Sequence, residues 1–94
     1  MIDVFYQPEQ CAASQSFSPS AEKPRFVVQD WLRHFDGQVN VLGFEPVDRE
    51  AFKRVHEPVM VDAILDGHAR NGFGNSSPTV ARSLPYTTGS LLAA

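Results

Sequence analysis

Val27-Val-Gln-Asp-Trp-Leu-Arg-His-Phe-Asp-Gly-Gln-Val-Asn-Val-Leu-Gly-Phe44 decides the fold, because its hydrophobic period changes midway. Val27, Val28, Trp31, Leu32 and Phe35 recur at helical spacing, with Gln29, Asp30 and Arg33 on the opposite face. Asp36-Gly37 then stops the helix, glycine supplying the left-handed cap. Val39 to Phe44 is β-branched and apolar and predicts a strand. Upstream, Ile2-Asp-Val-Phe-Tyr6 is a second such stretch, bounded by Pro8. Strand, helix and strand in this order predict a βαβ unit with two parallel strands and a right-handed crossover. Trp31 is expected to be buried between the helix and the sheet.

Working outward, Glu9 to Ser20 reads as a loop, and the first helix opens between Ser20 and Pro24. Asp48 is a good N-cap for a short helix through about Val55, and Pro58 starts another that runs to Gly67 or Ala69. Asn71 to Ser77 forms a loop, in which Gly72 and Gly74 are expected at positive φ around Phe73. Ser77-Pro78 caps a helix through Arg82 or Ser83, Pro85 breaks the chain, and Thr88-Gly-Ser90 opens a last helix. The fold class is α/β: a βαβ unit flanked by several short helices, in a single domain over residues 1–94.

Composition narrows the function. The chain is 43% hydrophobic and 20% charged, with net charge −3 and scattered basic residues. That balance fits a folded soluble domain and gives no basic stripe for nucleic acid. No apolar run is long enough for a bilayer, and no apolar signal-peptide segment follows Met1. One cysteine, Cys11, allows no internal disulfide, and the cytoplasm is the expected compartment.

Candidate chemistry is sparse. His34, His56 and His68 lack metal-ligand spacing, and Ser76, Ser77, Thr87 and Thr88 have no nearby base. Asp62 and Asp66, four apart on one helix, fit a solvated face better than an acid–base pair. No nucleophile, base, metal site or cofactor site assembles from these residues.

Phe17-Ser-Pro-Ser-Ala-Glu-Lys-Pro24 with Trp31, Phe44-Glu-Pro46, Val55-His56, Asn71-Gly-Phe-Gly-Asn75 and Leu84-Pro-Tyr-Thr-Thr-Gly-Ser90 occur in that order. The pattern resembles the amino-terminal part of bacterial histone-deacetylase-like and acetylpolyamine amidohydrolases. The resemblance implies part of an arginase/deacetylase fold. It also implies a parent family that uses zinc-activated water to remove acyl groups from amines. The family's tandem histidines, metal ligands and catalytic tyrosine lie later than the segment matched, and this chain has no His-His pair. Tyr86 belongs to the Leu-Pro-Tyr-Thr motif and does not correspond to the catalytic tyrosine. Residues 9–20, including Phe17, correspond to a loop bordering the substrate channel. Asn71, Gly72, Phe73, Gly74 and Asn75 fall in a second rim loop, which helps form a dimer in the polyamine branch.

The expectation is a truncated, non-catalytic homologue of that segment, with zinc confined to full-length relatives. An open sheet edge and the apolar Leu91-Leu92 end predict a homo-oligomer, most simply a dimer. Phe17, the 71–75 loop, Tyr86, Leu91 and Leu92 are its candidate rim or interface residues, and any other protein partner is unspecified. The alternatives are a split component of a zinc-dependent deacetylase acting on acetylated amines, and a small-ligand binder.

Overall fold

The computed structural model describes residues 1–12 and 19–94. Strand β1 (Ile2–Phe5) and strand β2 (Val39–Leu42) pair in parallel, with Ile2 opposite Val39 and Phe5 opposite Leu42. Helix α1 (Lys23–His34) joins them, so the expected βαβ order is present. Pro24 stands in its first turn, and Gly37 takes φ +82° just beyond its end. Pro8–Gln10 and Pro19–Ala21 are single 3-10 turns, the first closed by Gln7 N–H donating to Gln10 Oε1 at 2.8 Å.

Three more helices follow, and local capping accounts for where they begin. Helix α2 (Arg49–Lys53) starts after Asp48, whose Oδ1 accepts from Ala51 N–H at 2.9 Å. Helix α3 (Pro58–Leu65) starts after Glu57, whose carboxylate accepts from Val59 and Met60 N–H. Helix α4 (Pro78–Ala93) starts after Ser77, whose hydroxyl accepts from Val80 N–H at 3.3 Å.

Helix α4 runs unbroken through Pro85, where the sequence predicts two separate helices. A proline inside a helix removes one backbone bond and crowds the preceding turn, at about 3 kcal/mol. Hydroxyls around it donate to helix carbonyls: Ser83 to Val80, Thr87 to Ser83 and Ser90 to Thr87. The Pro85 carbonyl itself accepts from Val47 N–H at 3.1 Å, which ties α4 to the segment after β2. Gly89 completes that junction. A Cβ there would lie 2.5 Å from the Glu45 carbonyl oxygen and 3.1 Å from Pro46 Cα.

The interior is small. Ala12, Ala21 and Val80 form a buried cluster on which Phe73 packs, and Val28, Val61 and Ala81 are buried elsewhere. Trp31 is not in the core. It is 38% exposed, and Val27, Leu32 and Phe35 on the same helix are exposed as well. The reason is width. Two strands spaced ~4.8 Å apart make a narrow floor, and the apolar stripe of α1 overhangs it, burying only Val28.

The molecule is correspondingly flat, 44 × 28 × 15 Å, with a radius of gyration of 14.4 Å. A compact chain of this length has a radius near ~12 Å. Its accessible surface is 6362 Å², where about 5,400 Å² is usual for a folded monomer of this mass.

Candidate interaction surface

The candidate rim and interface residues separate into two groups at opposite ends of α4. Asn71 to Asn75 lie at its amino-terminal end and hold the loop together. Asn71 is buried, and its N–H donates to the Asn75 carbonyl at 2.7 Å. Asn71 Oδ1 accepts from Phe73 N–H at 2.8 Å, while Asn71 Nδ2 donates to Asn75 Oδ1 at 3.1 Å. This net seats Phe73 against the Val80 cluster. Gly74 takes φ +77° as expected, whereas Gly72 does not adopt positive φ. Leu91 and Leu92 stand at the far end of the helix, 75% and 70% exposed. Tyr86 lies between them, half-buried and edge-on to Phe44 at 6.5 Å. Phe17 lies outside the described residues.

Two further features come from contacts between residues far apart in sequence. Asp62 and Asp66 do share one side of α3, and Arg49 bridges them. Its Nη1 donates to Asp62 at 3.0 Å and its Nη2 to Asp66 at 2.9 Å. Lys53 Nζ adds an ion pair to Asp62 at 3.0 Å. The Arg49 hydrogen bonds hold both carboxyls below the usual range, with Lys53 assisting at Asp62. The same bonds raise Arg49 and Lys53. These carboxylates are accounted for as a clamp between α2 and α3.

The second feature is a groove of about 200 Å³ lined by Phe52, Met60, Ile64, Leu84 and Thr88, with His56 beside it. It is apolar and open. Sites for drug-sized ligands usually fall between ~300 and 1,000 Å³, so this groove is small for one.

No protein-family model, curated protein or solved structure matches this chain. Its possibilities therefore rest on geometry. The expectation that His68 lacks metal-ligand spacing and that the chain holds no Asp-x-His pair is wrong at the level of sequence, since Asp66-Gly67-His68 is such a pair. In the fold Arg49 occupies the Asp66 carboxylate. Among the described residues, no three His, Cys, Asp or Glu side chains converge as a metal site requires. Nor is any helix among them long and apolar enough to cross a membrane.

The flank of α1 and the sheet also departs from an ordinary surface. Trp31 and Phe35 line a shallow groove of about 300 Å³ with Ile2, Val4 and Val39. Ile2 is 69% exposed, and Val27 and Leu32 continue the same apolar surface along α1. Scattered exposed apolar residues are ordinary, but a contiguous patch marks an interaction surface.

Proposed function

We propose that this chain is a non-catalytic interaction module that works as a homo-oligomer, with the α1–sheet flank as its contact surface. One observation carries the reading: an aromatic and aliphatic stripe wider than the two-stranded floor beneath it. The excess of accessible surface supports it. About 1,000 Å² beyond a compact monomer is close to the ~800 Å² each partner contributes to a standard interface. Its relation to the amino-terminal part of deacetylase-like amidohydrolases belongs to the same proposal and rests on the ordered residue pattern. So does a cytoplasmic setting, which suits a chain with one unpaired cysteine.

Sedimentation equilibrium on the purified chain tests this directly. The expected result is a dimer at tens of micromolar that dissociates on dilution. A single monomeric species across that range would overturn the reading.

A further inference from the structure

We infer that the outer edge of β1 takes up the same strand of a second copy, antiparallel across a twofold axis, giving a four-stranded sheet ordered β2–β1–β1–β2. The inference rests on the self-association reading above and gives it a geometry.

The backbone sets which groups are free for pairing. Ile2 N–H donates to the Gln38 carbonyl at 2.8 Å, and Tyr6 N–H to the Leu42 carbonyl at 3.0 Å. Residues of a strand alternate direction, so Ile2, Val4 and Tyr6 turn toward β2 while Asp3 and Phe5 turn outward. Among the described residues, no backbone hydrogen bond from outside the pair reaches Asp3 or Phe5. Such an edge is a template for strand addition.

Side chains favour this edge over that of β2. Met1, Ile2 and Asp3 are exposed at the start of β1, while Val4 and Phe5, like all four residues of β2, are half-buried. Natural edges are blunted by lysine, proline or bulges. Strand β1 carries one charge, Asp3, whose Oδ1 accepts from Asn40 Nδ2 at 3.1 Å. A twofold axis through Val4 sets Asp3 opposite Phe5 and keeps the two Asp3 carboxylates apart, which like-charge repulsion across strands requires.

A second copy is the occupant that answers both deficits together. An added strand widens the floor under α1, and the helix that travels with it brings a second apolar stripe to Ile2 and Trp31. Isologous pairing also closes after two copies, so no fibre is implied.

Two lysine variants at exposed positions locate the contact without disturbing the interior. Ile2→Lys is at the proposed edge, and Val59→Lys is on α3. Sedimentation should show Ile2→Lys dimerising about tenfold or more weakly, because an edge lysine blocks pairing, with Val59→Lys unchanged. Amide exchange at Asp3 and Phe5 should slow as the wild-type concentration rises. A dimer indifferent to Ile2→Lys, with Asp3 and Phe5 exchange independent of concentration, would overturn this geometry and leave self-association standing. A wild-type monomer would overturn both.

Discussion

Gly89 shows how one missing side chain positions a helix. The Glu45 carbonyl and Pro46 Cα approach α4 so closely that a methyl group at position 89 has no room. Both neighbours are backbone, so neither can rotate away. Gly89→Ala should destabilise the fold by about 1–3 kcal/mol, the usual cost of overpacking. In a chain of this size that corresponds to a fall in Tm of roughly 4–8 °C per kcal/mol, measurable by calorimetry. Gly72→Ala is the matched control, since a Cβ there meets nothing within 4 Å and the backbone is not left-handed. It should leave Tm unchanged or raise it slightly, through a less flexible unfolded chain. The caps at Asp48 and Ser77 were legible beforehand because a cap depends on residues a few places away. The role of Gly89 depends on a segment more than forty positions distant, and sequence spacing carries no trace of it.

At the scale of elements, α2 and α3 are joined by charge as well as by packing. Arg49 holds Asp62 and Asp66 with two nitrogens of one guanidinium, a fork that lysine cannot reproduce. Both carboxyls titrate lower in the fold than in the unfolded chain. The stability they contribute is therefore full above the ordinary aspartate range, about pH 4, and is lost as pH falls through the depressed folded values. Urea unfolding should show Asp62→Asn less stable than wild type at neutral pH, with the gap closing in acid. The groups are partly exposed, so the gap should also shrink in concentrated salt. A difference that persists unchanged in acid would assign the effect to packing. The spacing of Asp62 and Asp66 was legible as a shared helix face, but the partner was not, because Arg49 is brought to them by the turn at residues 54–57. Pro85 follows a similar logic. Local propensity puts a break there, yet α4 runs on through it, and Val47 N–H on the Pro85 carbonyl ties that turn to the segment after β2.

At the scale of the molecule, the parallel pair and its crossover helix were readable from hydrophobic period alone, but burial was not. Helical spacing puts Val27, Trp31 and Phe35 on one face without fixing how many strands lie beneath it. On the pairing proposed above, burial of Trp31 would be a property of the pair, and the chain contains no other tryptophan to confuse the signal. In the isolated chain the indole is more than one-third exposed. Its fluorescence should accordingly be red-shifted at nanomolar concentration and move to shorter wavelength as copies associate. Because only the folded dimer gains from mass action, Tm should climb over the same concentration range. Trp31→Ala should flatten that climb, with the loss falling mainly on association and less on the fold of each chain. Should Trp31→Ala instead lower Tm equally at every concentration, its contacts within one copy would account for its whole contribution, and the flank of α1 would not be the surface that brings two chains together.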